Sequence, residues 1–181
     1  MRIDARLTAA LLALLALAGC ASSLNLAVER PHSQAISVQA DTPLRRQLAP
    51  HIAEGASGFH LLADGYAALA ARLALAAHAS RTLDVQYYLF HNDDSGKWIA
   101  AALLDAADRG VRVRVLIDDV DTADKEVGLA TLNAHPNIEV RLFNPFHERS
   151  SNLLVRGWQA LHDGARLNRR MHNKAFIADN Q

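Results

Sequence analysis

The chain has 181 residues, half of them apolar, with Lys+Arg and Asp+Glu balanced at 19 each and a single cysteine. That length holds one ordinary domain with a real core. Zero formal charge argues against a nucleic-acid binder, because affinity for a phosphate backbone needs a cationic surplus or a basic face, and a lone cysteine rules out an internal disulfide.

Met1 to Arg6 is a short charged start, and Leu7 to Ala18 is a continuous Leu/Ala/Thr run leading into Gly19-Cys20. The run is shorter than the roughly 20 residues that span a bilayer, so residues 1–19 read as a secretory leader. Leu17-Ala18-Gly19-Cys20 resembles the cleavage box of bacterial lipoproteins. That resemblance implies that Cys20 is the first mature residue and carries lipid, and that it is not a redox or metal group. Ala21 beside it implies a lipid anchor in the outer membrane of the cell envelope, facing the periplasm. An uncleaved anchor with an incidental cysteine is the competing reading. Residues 20–57, rich in Ser, Ala, Gln and Asn and interrupted by Pro31, Pro43 and Pro50, read as a flexible tether with one short helix near Leu44 to Leu48. His32, His51 and His60 have no metal-ligand spacing.

A domain over residues 58–181 follows. Phe59 to Leu62 reads as a short strand, and Asp64 as the cap of a helix to about Ala79, with Leu69, Leu73 and Ala76/Ala77 at helical spacing. From Arg81 to Phe90, Leu83, Val85, Tyr87 and Leu89 alternate against Asp84, Gln86 and Tyr88, which predicts a strand. His91 to Gly96 breaks it, and a helix runs from about Gly96 to Arg109, closed by Gly110. Val111 to Ile117 is the clearest strand. Behind it stand Asp118, Asp119 and Asp121, and three carboxylates in four residues invite a metal. The Gly and distal Glu of a calcium loop are missing, however. The simpler reading is acidic capping of a helix from Ala123 to about His135. A second is that one of them orients a catalytic group, since the carboxyl ends of strands in α/β sheets face ligand crevices.

Pro136 ends that helix, Ile138 to Phe143 forms the next strand, and Asn144 to Ser150 is a loop. Asn152 to His162 is weakly helical, with Leu153, Leu154, Trp158 and Leu161 as an apolar face that suits a core, a partner or an acyl passage. Gly164 to Arg170 leads into a last strand. Strands alternating with helices predict an α/β fold with mainly parallel pairing.

The chemistry concentrates at the end of the chain. His172 and Lys174 stand two residues apart, and Asp179 follows after four more. Phe176 and Ile177 favour a strand, in which residues two apart share a face with Cα atoms about 6.5 to 7 Å apart. Two groups so placed suit one tetrahedral anion. A fixed Lys174 cation can hold a nonbridging phosphate oxygen, and neutral imidazole can attack or carry a proton near neutral pH. Asp179 has the opposite parity, so it is expected to point away or to occupy the following turn in an orienting role. Arg166, Arg169, Arg170 and Lys174 form a basic cluster, in which Arg170 is a further candidate phosphate contact. Taken alone, His172 reads as a structural histidine; Lys174, the Asp179 spacing and the upstream blocks that resemble a known family together point to a catalytic position of that family.

The His-x-Lys-x4-Asp spacing resembles the signature of the phospholipase D superfamily. Leu83-Asp84-Val85-Gln86-Tyr87-Tyr88, Ala106 to Asp119, Arg141 to Phe146 and Leu167 to Lys174 are similar to bacterial cardiolipin synthases. The resemblance runs from about Gly58 to the end. It implies a layered α-β-α sandwich with a mixed sheet, normally present twice per chain. It also implies phosphatidyl transfer or phosphodiester cleavage on membrane phospholipids of the phosphatidylglycerol or phosphatidylethanolamine class, without metal or other cofactor. His172 would form a phosphohistidine, with Lys174 and Asp179 in the same site, and a histidine from a second motif would serve as acid and base. The 181 residues carry one such motif: His78, His91, His135, His147 and His162 have no lysine two places on. The Gly-Gly/Ser-x-Asn segment expected just after Asp179 is also missing. We therefore expect the N-terminal portion of a longer lipoprotein enzyme, incomplete after its catalytic strand. On its own it would be inactive, unless a second subunit or further sequence supplies the other half-site. A phospholipid hydrolase or periplasmic nuclease of the same superfamily is one rival, the nuclease disfavoured by the charge balance. A non-catalytic lipid-anchored remnant is the other.

Overall fold

The computed structural model describes residues 32, 34–38, 40–122, 125–146 and 153–181. The leader, Cys20, Ala21 and His147 lie outside the described residues. Helix α1 spans Pro43–Leu48. Thr42 starts it by accepting the Arg45 amide on Oγ1 at 3.1 Å, and Pro43 sits at the first turn, where its missing N–H costs nothing. Thr42 and Leu44 are buried. Asn180 Nδ2 donates to the Ile36 carbonyl at 2.7 Å and Arg112 Nη1 to the Gln34 carbonyl at 2.8 Å. Part of the stretch expected as a tether is therefore docked on the domain.

No strand forms at Phe59–Leu62; the segment has no regular structure, and Phe59 and Leu61 are exposed. Strand preference is expressed through packing against a neighbour, and no described strand pairs there. Helix α2, Gly65–His78, begins where Asp64 accepts the Ala67 amide at 2.8 Å. Strand β1 is Thr82–Tyr87, shorter than expected because its partner register ends at Tyr87↔Ile117. Helix α3, Asp94–Asp108, is capped by Asp93 and closed by Gly110, whose φ of 90° suits glycine. Strand β2 is Arg112–Asp118.

The acidic run after β2 forms a 3-10 turn, Asp119–Asp121, and helix α4 starts only at Glu126, ending at Asn133. This corrects the capping reading. Lys125 at the helix start makes no side-chain cap bond, and the Asp118 carboxylate instead accepts the Val120 amide at 2.9 Å. Strand β3 is Ile138–Phe143, helix α5 Leu153–Leu167, and strand β4 Ala175–Ala178. Helix α5 runs five residues past the expected His162, through Gly164. Leu154, Trp158 and Leu161 on it are exposed rather than packed in the core.

The four strands make one sheet in the order β3-β2-β1-β4. β1, β2 and β3 are parallel, and β4 runs antiparallel to β1 with Gln86↔Ala175 and Leu83↔Ala178 in register. The sheet is thus mixed and mainly parallel, and the fold is α/β. Alternation puts Leu83, Val85, Val113, Val115, Ile117 and Ile138 on one face. They join Ala76, Ile99, Leu103, Ala106 and Ala107 in a single core, with Leu129 and Leu132 of α4 packed against it. Each buried aliphatic side chain contributes about 1.5–3 kcal/mol, and the alanines of α2 and α3 let helix backbones approach the sheet. The opposite face is polar: Arg114 grips Asp84 bidentately at 2.5 and 2.7 Å.

Candidate active site

Because β4 is antiparallel to β1, the residues leading into β4 arrive at the edge where the parallel strands end. His172 and Lys174 lie in that approach, just outside β4. The expectation that both sit within the strand is corrected: the ladder between β1 and β4 ends at Gln86↔Ala175, so the residues before Ala175 lie outside the paired strand. A different device holds them together. The His172 ring stacks on Tyr88 at 4.3 Å between centroids, tilted 26°. Lys174 Nζ lies 5.2 Å from the centre of the same Tyr88 ring and donates to the His172 carbonyl at 2.8 Å. Beside them, Asn173 Nδ2 donates to Gln86 Oε1 at 3.3 Å. Both chemical groups are solvent-exposed.

Two buried carboxylates brace this approach from either end. Asp118, fully buried, accepts the Met171 amide on Oδ2 at 2.8 Å and Arg170 Nη1 on Oδ1 at 3.1 Å. Asp179, also fully buried, falls in the turn after β4 with φ 52°. There it accepts the amides of Ser80, Arg81 and Thr82 and the Ser80 hydroxyl, at 2.7 to 3.2 Å. A carboxylate can take that many donors because each oxygen offers two lone pairs, and Asp179 ties β4 to the start of β1.

Arg170, expected at the phosphate, has another occupation. Its side chain is 9% exposed; Nη1 bonds Asp118 and the Asn144 carbonyl, and the guanidinium lies 4.5 Å over the Phe146 ring. Asn144 completes the brace by donating to the Arg166 and Arg169 carbonyls at 2.8 and 2.7 Å. Asp119 accepts the Phe146 amide at 2.8 Å and the Thr122 hydroxyl. Among the described residues no three His, Cys, Asp or Glu side chains converge as a metal site. Sequence reasoning named His172, Lys174, Asp179 and the possible orienting role of the acidic run. It missed Tyr88 and Asn144, although a second tyrosine standing at the end of a strand beside Tyr87 was a usable signal for the first.

Residues 73–181 match the family model described as the cardiolipin synthase, PLD-like domain. Over 125 residues the chain is 50% identical to cardiolipin synthase C of Escherichia coli, covering 69% of this chain and 26% of that protein. It is 44% identical over 120 residues to an uncharacterised protein of Helicobacter pylori, covering 66% and 24%. Among solved structures, NucT from Helicobacter pylori aligns at 19% identity with a TM-score of 0.42, over 66% of this chain and 65% of that one. The chain spans about a quarter of the length of the curated relatives it matches. With the family model matched over well more than half of its residues and half of the aligned positions shared with cardiolipin synthase C, the chain belongs to the phospholipase D superfamily and is cardiolipin synthase-like.

Proposed function

We propose that this chain supplies one half of a phosphodiester-transfer site acting on membrane phospholipids, with His172 as nucleophile and Lys174 as the cation that holds a nonbridging oxygen. The observation that carries the reading is the gathering of His172 and Lys174 on the single ring of Tyr88, at an exposed edge. His172 Nδ1 lies 3.3 Å from the Arg170 carbonyl. A carbonyl only accepts, so Nδ1 carries the proton and Nε2 keeps the lone pair that attacks.

In the first step Nε2 attacks phosphorus, the bond from phosphorus to the leaving glycerol oxygen breaks, and that oxygen takes a proton from a second histidine. In the second step that histidine deprotonates the acceptor alcohol, whose oxygen attacks phosphorus and frees His172. A phospholipid acceptor gives cardiolipin or a relative; water gives hydrolysis. Lys174 stabilises charge in both transition states without reacting. The zero net charge supports a lipid over a nucleic acid as substrate. The second histidine comes from further sequence or a second subunit, because the 181 residues hold one motif; the isolated chain does not turn over. Lipidation at Cys20 holds the domain at the outer membrane.

The reading is tested by titrating the chain with dimethyl phosphate, a minimal phosphodiester, and following side-chain NMR signals. His172 and Lys174 are expected to shift saturably, and Lys174→Ala to weaken binding about tenfold. Unchanged binding in Lys174→Ala would sink the assignment.

A further inference from the structure

A cavity of about 520 Å³ opens between α2 and α3, bounded by the loop that leaves β1. Its size falls within the range of about 300–1,000 Å³ found for small-molecule sites. It opens at the end of β1 from which Tyr88 follows, since Tyr87 and Leu89, which line it, flank Tyr88 in the chain. Leu69, Phe90 and Ile99 make apolar walls. Tyr66 and Leu89 stand at the rim with 89% and 41% of their surface exposed, beside the exposed polar residues His91, Asp93 and Ser95.

One cation sits within this lining. Arg72 is half-buried; its Nη1 donates to the Ala68 carbonyl of its own helix at 2.6 Å, and its charge is near enough to Tyr87 to favour the phenolate. Among the described residues it forms no ion pair with a carboxylate. Asp93 also lines the cavity and keeps its negative charge, but its carboxylate is turned to the Gly96 amide and the Ser95 hydroxyl at the start of α3 and makes no direct ion pair with Arg72. A guanidinium offers five N–H donors in a planar fork. Donors left over on a half-buried guanidinium with no direct ion pair can take up an anion brought by a ligand.

Largely apolar walls and an arginine without a direct ion pair together describe a site for an anionic amphiphile. We propose that the cavity between α2 and α3 binds a phosphate-bearing lipid, with Arg72 on the phosphate and Leu69, Phe90 and Ile99 on the first carbons of a tail. Its role as the place of the acceptor lipid rests on the function proposed above: in transfer between two phospholipids the acceptor brings a second phosphate, which needs a cation apart from Lys174. The binding itself does not depend on that reading.

The test uses the full chain and dihexanoyl phosphatidylglycerol below its micellar concentration, followed by methyl NMR of Leu69, Leu89 and Ile99. Saturable shifts are expected. Arg72→Gln is expected to weaken them about tenfold, and Tyr66→Ser, at a position whose exposure makes misfolding no concern, several-fold. Lys174→Ala leaves this binding unchanged. Decanoate with equal affinity and equal dependence on Arg72 would assign the site to fatty carboxylates instead of phospholipids. Phospholipid binding indifferent to both Arg72→Gln and Tyr66→Ser overturns the proposal, as does inorganic phosphate binding as tightly as the lipid. If the cavity signals respond to the lipid while dimethyl phosphate leaves His172 and Lys174 unmoved, the cavity stands and the proposed catalytic function falls.

Discussion

The Asp118 carboxylate, at the end of β2, accepts the Met171 amide at 2.8 Å across 53 positions of chain, so the residue just before His172 is held by a strand on the far side of β1. Its other oxygen holds Arg170, and both partners lie in the interior. Removing one member of such a buried pair leaves the other charge uncompensated. Asp118→Ala should cost about 3–5 kcal/mol, read by urea unfolding. Asp118→Asn, which keeps an acceptor for the Met171 amide, should cost less. In either variant that still folds, the NMR contact between the His172 and Tyr88 rings should weaken.

Asp179 and the exposed pair His172 and Lys174 separate stability from chemistry. Asp179→Ala strands three backbone amides and a hydroxyl at the start of β1 and should destabilise by several kcal/mol, at about 1–3 per orphaned buried donor with partial relief from water. His172→Ala and Lys174→Ala, at exposed positions, should stay within about 0.5 kcal/mol of the parent. Parallel thermal melts of the three variants check the contrast.

Tyr87 should ionise above the ordinary phenol value of 10.0, because burial disfavours the phenolate; the Arg72 charge and hydrogen bond oppose this without cancelling it. Arg72→Gln removes the opposition, so the Tyr87 titration should move further up, measured by ultraviolet absorbance against pH. The same shift gives a sign for stability. A group whose folded pKa is raised contributes stability that is complete below its unfolded pKa and is lost as pH rises through the folded one, so this contribution disappears on the alkaline side.

The start of α3 should be sensitive to both substitution and acid. A Cβ at Gly96 would overlap the His91 carbonyl oxygen, which belongs to the backbone, so Gly96→Ala should destabilise by about 2 kcal/mol or more. Asp93 is held below its ordinary value of 3.8, chiefly by the Gly96 amide and then by the Ser95 hydroxyl, with a smaller contribution from His91. A depressed carboxylate pKa contributes stability above the unfolded value that is lost as pH falls through the folded one. Hydrogen exchange at the Gly96 amide should therefore show less protection as pH drops below about 4, and Asp93→Asn should flatten that dependence.

How much of this was legible in the sequence follows from the range of each interaction. Asp64 as a cap, Gly110 as a stop and the alternation of β2 and β3 are local, and the structure places them where the residues indicate. The end of β1 at Tyr87 and the start of β4 at Ala175 depend on ladder partners tens of residues away. The position of His172 and Lys174 outside a strand was therefore hidden, though their convergence on one side was not. Arg170 looked like part of a basic cluster because its contacts with Asp118 and Phe146 join distant segments. Tyr88 read as one more alternating position, since the tyrosine pair at the strand end marks it out without showing that its ring lies beneath His172.

The central claim is that His172 is a phosphorus nucleophile assisted by Lys174 in a half-site lacking its acid. A leaving group that needs no proton isolates that step. With bis(p-nitrophenyl) phosphate, His172 should attack and release nitrophenolate once per chain, leaving an acid-labile phosphohistidine that persists because nothing activates water to remove it. The account predicts a single burst near one equivalent, slowed in Lys174→Ala and abolished in His172→Asn. No burst, or a burst that His172→Asn leaves intact, would contradict it.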